Sequence, residues 1–343
     1  MKVSIAVGGA ASGARRDFED QVEFVVAADR MGVGTVWTAE AWGQDAIAPL
    51  AFIAARTKQI KLGTGIMQIS ARTPSMTAMT ALTMAAISND RFILGLGASG
   101  PQVVEGLQGR PFAGPLTRMK ETVDIIRLAF AGEKLAYQGK YHQLPLPGGE
   151  GKALRLSQPG NLNIPIYLAT LGPKTLEYTG AAADGWLGTS FTPEHADAHL
   201  DHIRKGAEAA GRSLADINIE VGGVVGFGPI EPMIEALKPG VAFTLGAMGS
   251  AKTNFYNEAF RRGGWSQVAE EVQRLWVSGD RQAAINHVPA RMVEEANLLG
   301  DEDQVRARVK AYRDAGVNTL RVQPMGATQA ERLATLERVM DMI

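Results

Sequence analysis

The sequence predicts an α/β fold, a (β/α)8 TIM barrel with a helical insertion before the last strand. Apolar strand-like runs alternate with helical patterns along the chain, as parallel strands joined by crossover helices do. Two glycine-rich segments, Gly63–Ser70 and Gly95–Gly100, each close an apolar run, and glycine is needed where backbone lies directly against a ligand. A doubly wound open sheet is the alternative. Against it, no Gly-x-Gly-x-x-Gly string stands between the first predicted strand and the first helix, whereas glycine sites after several strands are typical of a barrel.

Eight segments are predicted as strands because their apolar residues form short runs bounded by turn residues. In chain order they are Val3–Val7, Thr35–Thr38, Ile60–Gly63, Phe92–Leu96, Ile166–Ala169, Gly185–Thr189, Asn218–Val225 and Thr319–Val322. The segments between them have helical spacing. In Phe18–Met31, for example, Val22, Val25 and Val26 form an apolar stripe that ends at Gly32, and glycine is a common helix stop.

A barrel of this class takes about 250 residues, so part of this 343-residue chain must lie in excursions. Pro145–Pro159 is rich in proline and glycine and is predicted to be a surface loop or a short hairpin. Residues 226–299 are predicted to be a helical insert that roofs the active site, because they hold the amphipathic segments Ala251–Arg262, Trp265–Val277 and Ala290–Leu299. We expect the whole chain, 1–343, to form a single domain.

Composition excludes several classes of function. The net charge of −1 comes from 35 basic and 36 acidic residues without long blocks of one sign, so nothing favours a nucleic acid or an anionic membrane as partner. A small-molecule substrate is expected instead. The sequence has no cysteine, which excludes disulfides, thiolate metal sites and thiol nucleophiles and agrees with a cytoplasmic location. The first residues run straight into a strand pattern, without the features of a signal peptide.

The segment Trp37-Thr-Ala-Glu-Ala-Trp-Gly-Gln-Asp45 follows the second predicted strand and should lie at the barrel mouth. Glu40 is its most interesting residue, because a carboxyl beside an apolar ring such as Trp42 would have a raised pKa and could donate a proton. The alternative is structural. Glu40 would then be a loop carboxylate that caps the helix beginning near Ala46.

Three further segments offer backbone to a ligand. After Gly63 and Gly65, the apolar residues Ile66, Met67 and Ile69 continue the strand, which indicates a bulge that presses backbone into the pocket. Successive amides in Gly95–Pro101 form an anion nest in which Ser99 can add a hydroxyl donor. In Ala169–Thr175, a helix predicted to begin at Pro173 leaves its N-terminus open to an anion, with Lys174 nearby. Each segment is also compatible with an ordinary strand-to-helix connection.

Residues suited to other chemistries are absent or badly placed. His195, His199 and His202 share one helix face, but charged neighbours favour a solvated outer face over a metal site. The sequence has no Gly-x-Ser-x-Gly elbow and no paired carboxylates at strand ends, so serine hydrolase and glycosidase chemistry are not indicated. The reactive group must therefore come from a cofactor, which points to redox catalysis.

Taken together, these segments resemble the bacterial luciferase-like superfamily, in particular its coenzyme F420-dependent oxidoreductase branch, which includes methylenetetrahydromethanopterin reductase. The resemblance covers nearly the whole chain. It rests on Thr38-Ala-Glu-Ala-Trp-Gly-Gln-Asp45, Leu62-Gly-Thr-Gly-Ile66 with Arg72-Thr-Pro74, Asp90-Arg-Phe-Ile-Leu-Gly-Leu-Gly-Ala-Ser-Gly100, and Gly172-Pro-Lys174 leading into Gly180-Ala-Ala-Ala-Asp-Gly-Trp186.

The resemblance implies a (β/α)8 barrel, usually a homodimer, that binds a deazaflavin or a flavin at its C-terminal mouth. F420 is the expected cofactor, with FMN as the alternative, and no metal is expected. A non-prolyl cis peptide bond is implied at Gly65–Ile66, behind the ring system. Glu40 and Trp42, singled out above, are the predicted catalytic residues. The implied cofactor-binding residues are Ala39, Thr64, Gly65, Ile66, Ala98, Ser99, Gly100, Thr170, Leu171, Gly172, Pro173 and Lys174.

One departure from the family pattern bears on the substrate. Relatives that oxidise an alcohol or a sugar phosphate carry an Asp-His pair after the second strand, whereas this chain has Ala39-Glu40 there. Hydride transfer to or from an unsaturated or imine-type carbon is therefore favoured, with Glu40 relaying a proton or orienting the ring. Two alternatives stay open. One is an FMN-dependent monooxygenase of the same superfamily, and the other is a barrel that binds a flavin or deazaflavin without turnover.

Overall fold

The computed structural model describes residues 1–8, 14–249 and 253–343. The strands in these ranges are β1 (Lys2–Ala6), β2 (Thr35–Thr38), β3 (Lys61–Thr64), β4 (Met67–Gln68), β5 (Phe92–Gly97), β6 (Tyr137–Gln138), β7 (Gln143–Leu144), β8 (Ile166–Ala169), β9 (Gly185–Leu187), β10 (Asn218–Val221), β11 (Val224–Phe227), β12 (Leu298–Gly300) and β13 (Thr319–Pro324).

The helices in the same ranges are α1 (Arg15–Arg30), α2 (Ile47–Ala54), α3 (Pro74–Ser88), α4 (Pro101–Val104), α5 (Pro115–Phe130), α6 (Pro173–Ala182), α7 (Asp197–Ala209), α8 (Ile230–Gly246), α9 (Phe255–Phe260), α10 (Ser266–Val277), α11 (Arg281–His287), α12 (Ala290–Ala296), α13 (Glu302–Asp314) and α14 (Gln329–Met340). A π-helical turn, Arg261–Trp265, joins α9 to α10. Among the described residues, no helix is both long enough and apolar enough to cross a bilayer.

The strand order is that of a closed barrel. The main sheet runs β1, β2, β3, β5, β8, β9, β10, β13, and β1 pairs in parallel with β13. A sheet of eight parallel strands whose last strand pairs with the first, with helices between successive strands, is a (β/α)8 barrel. The predicted fold class is therefore confirmed. β4 adds a short pairing beside β5, and β11 and β12 continue the sheet beyond β13.

The structure corrects the seventh predicted strand. Asn218–Val225 was expected to be continuous, but it divides into β10 and β11 around Gly222 and Gly223. A Cβ atom on Gly222 would lie 1.9 Å from the carbonyl oxygen of Arg321, and one on Gly223 would lie 2.2 Å from that of Ala296. The two glycines let backbone segments approach each other closely, which breaks the strand there.

Two other predictions concern segments between strands. Pro145–Pro159 contains no strand or helix of its own, and it follows the antiparallel hairpin of β6 and β7. Of the predicted helical segment Ala251–Arg262, residues 251 and 252 lie outside the described residues, and α9 covers Phe255–Phe260. The segments that begin at Trp265 and Ala290 contain α10 and α12.

Contacts divide the chain into two compact units, and each is described by itself. Unit 2 consists of Val7–Val26 and Thr35–Ala169. Its core contains fully buried side chains such as Leu50, Leu62 and Leu94. Unit 1 consists of Met1–Ala6, Ala27–Gly34 and Thr170–Ile343. It includes α8 to α12, whose apolar side chains share a hydrophobic cluster of their own.

In unit 2, one arginine donates hydrogen bonds to carbonyl groups at the ends of two helices and in the turn before β3. The Arg91 guanidinium donates hydrogen bonds to the carbonyl oxygens of Ala54, Thr57, Ile60 and Ser88 at 2.8–3.1 Å. Ala54 and Ser88 are the last residues of α2 and α3, where carbonyls have no partner within the helix. The charged group therefore terminates two helices and holds the turn before β3.

Replacing Arg91 by methionine should lower the free energy of unfolding by about 2–4 kcal/mol, because several buried carbonyls lose a charged donor. Arg91→Lys should recover part of the loss, since an ammonium group keeps the charge but cannot reach all four carbonyls. Urea denaturation of the three proteins measures the difference. Equal stability of the methionine variant and the wild type would contradict the assignment.

Candidate functional site

The candidate site of unit 2 lies where β2, β3 and β5 end side by side. Thr38 pairs with Thr64 in the register of β2 and β3, and Met67 of β4 pairs with Leu96 of β5. The residues that follow these strands therefore meet at one edge of the sheet. The C-terminal edge of a parallel barrel is where such folds carry their active sites.

The peptide bond between Gly65 and Ile66 is cis, as the family resemblance implies. Trp37, which is 2% exposed, packs against the glycines of this segment. A Cβ atom on Gly63 would lie 2.2 Å from the indole ring of Trp37, and one on Gly65 would lie 3.3 Å from it. At position 63 only glycine leaves room for the ring, and at position 65 a side chain would be tight, so the Trp37 ring supports the bulge.

Ile66 lies at the surface of the bulge. It is half-buried, and its side chain covers the backbone of Gly97, where an added Cβ would lie 2.9 Å from Ile66 Cγ1. The amide of Gly65 donates to the carbonyl of Thr38 at 2.6 Å, and the amide of Glu40 donates to the carbonyl of Ile66 at 3.2 Å. These hydrogen bonds join the bulge to the loop after β2. The surface of the bulge consists of backbone and the apolar side chain of Ile66.

Glu40 holds these two loops together through its side chain. Its carboxylate accepts hydrogen bonds from Arg72 Nη1 at 2.5 Å, from the amide of Gln68 at 2.9 Å and from that of Ala46 at 3.4 Å. Trp42, which is predicted to flank this carboxyl, is 64% exposed, and the hydrogen-bond partners of the Glu40 carboxylate are all polar groups. The alternative role of Glu40, capping the next helix, is supported only by its long hydrogen bond from the amide of Ala46.

The first amides of α2 are instead bonded by Asp45, which precedes the N-cap residue Ala46. Asp45 Oδ1 accepts hydrogen bonds from the amides of Ile47 at 2.8 Å and Ala48 at 3.0 Å. Sequence reasoning also missed Gln68 as a site residue. Its side-chain amide donates to the carbonyl of Glu40 at 3.0 Å and its oxygen accepts from Gln108.

Thr64, one of the predicted cofactor-binding residues, has a fully buried side chain. Its hydroxyl donates to the carbonyl of Gly95 at 2.8 Å and accepts from the amide of Gly95 at 2.9 Å. The side chain is therefore occupied in joining β3 to β5. Ala39, by contrast, is exposed beside Glu40.

Ala98, Ser99 and Gly100 form the turn between β5 and α4. Ser99 has a φ of 60°, which is uncommon for a residue with a side chain. The amides of these three residues and the Ser99 hydroxyl donate to no acceptor among the described residues. Consecutive free amides around a left-handed residue form a concave nest for an anion.

The segment Thr170–Lys174 belongs to unit 1 and leads into α6, which Gly172 begins without a side-chain cap. The amides of Gly172 and Lys174 have no acceptor among the described residues, so the helix offers free donors and the positive end of its dipole. Thr170 is buried and is used internally, since its hydroxyl bonds to that of Thr179 at 2.7 Å and its carbonyl accepts from Trp186.

Arg262 is a site residue that sequence reasoning missed. It lies in the π-helical turn, and its Nη2 donates to the carbonyl of Leu171 at 2.6 Å. Its Nε is buried without a hydrogen-bond partner, and burial lowers the pKa of Arg262. The guanidinium thus adds positive charge beside the open N-terminus of α6. No sequence signal indicates this pairing, because 91 positions separate the two residues.

The three histidines of α7 and the turn before it do not form a metal site, since no suitable cluster of ligands occurs within the described chain. The expectation of a solvated face is wrong for His199, which is 1% exposed and packs between Trp186 and Phe191. Burial, with smaller contributions from Arg262 and His202, lowers the pKa of His199 to about 4. Both its ring nitrogens lack partners, so it is a neutral core residue.

Comparison with known proteins identifies relatives over almost the full length. The model of the family described as luciferase-like monooxygenase matches residues 1–319. A Mycobacterium tuberculosis protein named as a candidate coenzyme F420-dependent oxidoreductase is 39% identical over 93% of this chain and 94% of its own. The F420-dependent glucose-6-phosphate dehydrogenase of Amycolatopsis mediterranei is 27% identical over 96% of each chain.

A solved structure supports the fold independently. The coenzyme F420-dependent tetrahydromethanopterin reductase of Methanopyrus kandleri superposes with a TM-score of 0.81 at 24% identity, covering 98% of this chain and 97% of the other. At this level of identity the likeness concerns the fold alone.

Gly63→Ala should lower the free energy of unfolding by about 3 kcal/mol, because the new methyl group overlaps the buried ring of Trp37. Gly100→Ala is the matched control. Its added Cβ would lie 3.7 Å from Gln102 Oε1 in backbone that any residue adopts, so stability should stay within about 0.5 kcal/mol of wild type. Chemical denaturation distinguishes the two. Similar losses in both variants would refute the role assigned to Trp37.

Proposed function

Because the chain belongs to the luciferase-like monooxygenase family and is an oxidoreductase of its F420-dependent branch, we propose that it transfers a hydride between C5 of the F420 deazaflavin and a small organic substrate. The single observation that carries this proposal is the bulge at Gly65 and Ile66, which packs on the indole ring of Trp37 and is hydrogen-bonded to the loop after β2. The cofactor proposal also rests on the F420-dependent relatives.

The residues of the bulge fit a flat ring. Ile66 is half-buried and lies over Gly97, so an apolar side chain and the adjoining backbone form a smooth surface. The bulge is held from behind by Trp37 and from the side by Glu40. In this proposal Gly65 and Ile66 support the ring, and Ala39 and Glu40 border it.

Each of the two units offers one set of donors that suits a phosphate group. The first is the nest of Ala98, Ser99 and Gly100, whose amides are free. The second is the start of α6, formed by Leu171, Gly172, Pro173 and Lys174, where Arg262 adds a guanidinium. Backbone amides and arginine are the donors that bind phosphate oxygens most often. We propose that Thr64 and Thr170 act through the backbone they hold in place.

The residues that follow β2, Ala39 and Glu40, bear on the class of substrate. Glu40 occupies the position where an alcohol-oxidising relative is expected to carry a histidine base, and its carboxylate is bonded to Arg72. We therefore favour a substrate with an unsaturated or imine-type carbon. In this proposal Glu40 orients the ring or relays a proton, and exposed Trp42 contacts the substrate.

FMN is the second candidate cofactor, and the description of the matching family as monooxygenase favours it. FMN carries a single phosphate that the same donors would bind. A monooxygenase would use reduced flavin and oxygen and would need a reductase partner. The two candidates make different predictions for cofactor binding.

We also propose a cytoplasmic homodimer, with α2 and α3 at the interface. Neither helix contains a charged residue, although Met76 is 48% exposed and Ile87 is 56% exposed. A two-fold interface brings the same patch of both subunits together, and an uncharged patch meets its own copy without repulsion between like charges. The absence of cysteine from the sequence agrees with the location.

Parallel titration of the cofactor-free protein with F420 and with FMN should give micromolar or tighter binding of F420 and weaker binding of FMN, followed by fluorescence. Arg262→Gln should weaken F420 binding about tenfold, because a charge-assisted hydrogen bond to phosphate is lost. Arg261→Gln is the matched control, since Arg261 pairs with Glu270 in a half-exposed ion pair. Preference for FMN would favour the monooxygenase, and binding of neither would refute the cofactor proposal.

Light scattering after size exclusion should give twice the mass of the chain, and Met76→Glu should shift the protein to a monomer. Position 76 is the third residue of α3, whose cap is Thr73, so glutamate there completes a capping box and should not destabilise the helix. Leu154→Glu changes a 72% exposed apolar residue outside these helices and should leave the mass unchanged. A monomeric wild type would contradict the proposal.

A further inference from the structure

A cavity of about 370 Å³ lies within unit 2, beside the loop that follows β4. Its lining comes from residues 69–74, from Ala98 and Val104, and from residues 110–113, 115 and 118. Tyr141 and His142, which belong to the hairpin of β6 and β7, complete the wall. The volume falls within the range of about 300–1,000 Å³ typical of small-molecule pockets, so the cavity can take a group larger than a single inorganic ion.

The wall of this cavity is strongly cationic. Arg72, Arg110 and Arg118 line it, and the described residues that form it include no aspartate or glutamate. Of the three, Arg72 is paired with Glu40. The side chain of Arg110 and the terminal nitrogens of Arg118 donate to no acceptor in the described parts of the chain. Two guanidinium groups are therefore available to a ligand, at a site where no wall carboxylate opposes their charge.

Two contacts fix the position of the Arg118 guanidinium. Its Nε donates to the carbonyl of Ala113 at 2.9 Å, and its guanidinium lies 4.1 Å from the centre of the Tyr141 ring. Glu121 in turn fixes Tyr141, because its carboxylate accepts hydrogen bonds from the amides of Lys140, Tyr141 and His142. A stacked and anchored guanidinium loses little entropy on binding and keeps its remaining donors aimed at an anion.

Glu121 does not compete for the arginines. Although burial raises its pKa, hydrogen bonds from the Tyr141 amide, from the His142 ring and from neighbouring amides bring the pKa of Glu121 below its ordinary value. Its charge is compensated by these donors within the hairpin. The hydroxyl of Ser70, which lines the cavity, is buried and has no hydrogen-bond partner, so the wall also contains one neutral donor without an acceptor.

We propose that this cavity binds a group bearing several carboxylates or phosphates, with Arg110 and Arg118 as its principal ligands and the Ser70 hydroxyl as a further donor. Such a group has two possible sources. One is the cofactor itself, because F420 carries an acidic oligoglutamyl tail, and in that case the inference rests on the proposed function. The other is an acidic substrate. Both sources present the same chemistry to the arginines.

The first experiment needs no assumption about the cofactor. Calorimetric titration of the cofactor-free protein with tri-γ-glutamate should show binding that weakens as sodium chloride is raised. Arg110→Gln and Arg118→Gln should each weaken it about tenfold, because each removes a charge-assisted hydrogen bond. Arg56→Gln, which removes the same charge from an exposed position outside the cavity wall, should leave the affinity unchanged.

The second experiment distinguishes the two sources. Wild-type protein is titrated with F420 that carries several glutamates and with F420 that carries none. If the cavity binds the tail, the longer form binds more tightly, and Arg110→Gln reduces that advantage without changing the affinity for the tail-free form. If the advantage is the same in the variant while tri-γ-glutamate binding is weakened, the anion belongs to the substrate.

Two results would overturn the proposal. One is that neither tri-γ-glutamate nor inorganic phosphate binds the wild type and that tail length has no effect. The other is that Arg56→Gln weakens binding as much as the cavity variants do, which would indicate a long-range effect of charge. Arg118→Gln also removes the stacking on Tyr141, but Arg110 has no such contact, so the Arg110 variant tests the site without that change. Preference for FMN would refute the proposed cofactor and leave the first experiment valid.

Discussion

The Glu40 carboxylate is the constraint on which the candidate site of unit 2 depends. It joins the loop after β2 to the bulge after β3 by accepting from Gln68 and Arg72, while the backbone of the same loop bonds to Ile66. Without it, Arg72 would be a partly buried cation lacking its counterion, which costs more than the ion pair itself contributes. The same group thus orders the bulge and neutralises one of the three arginines near it.

The sequence predicts the fold well because its signals are local. Apolar runs mark the strands, and glycines mark the places where backbone must approach backbone or a ring, as at Gly63 under Trp37. The same reasoning failed at Gly222 and Gly223, since a strand pattern does not reveal that two backbone segments meet there. It failed for His199 as well, because a charged helix can still bury one ring against aromatic neighbours.

Only the backbone features of the candidate site could be predicted from the sequence. Gly65–Ile66 and the turn at Ser99 follow from glycine spacing and family resemblance, and the structure has the cis bond and the nest of free amides. Side-chain pairing was not predictable, because it joins residues that are distant in the chain. Glu40 could be singled out as a carboxylate at a strand end, yet its partner Arg72 lies 32 positions away.

Net charge shows the same limit of sequence-based prediction, because it does not reveal which charged side chains come together in the fold. A net charge of −1 with evenly mixed signs favours neither a nucleic acid nor an anionic membrane as partner. A pocket, however, responds to the few charges on its wall and not to the sum over the chain, because low-dielectric walls concentrate their field. Arg72, Arg110 and Arg118 line one cavity, while the carboxylates of Glu40 and Glu121 are engaged in internal hydrogen bonds. Selectivity for an acidic ligand can therefore arise in a nearly neutral protein. It depends on which acidic side chains already accept hydrogen bonds within the protein and so do not oppose the arginines.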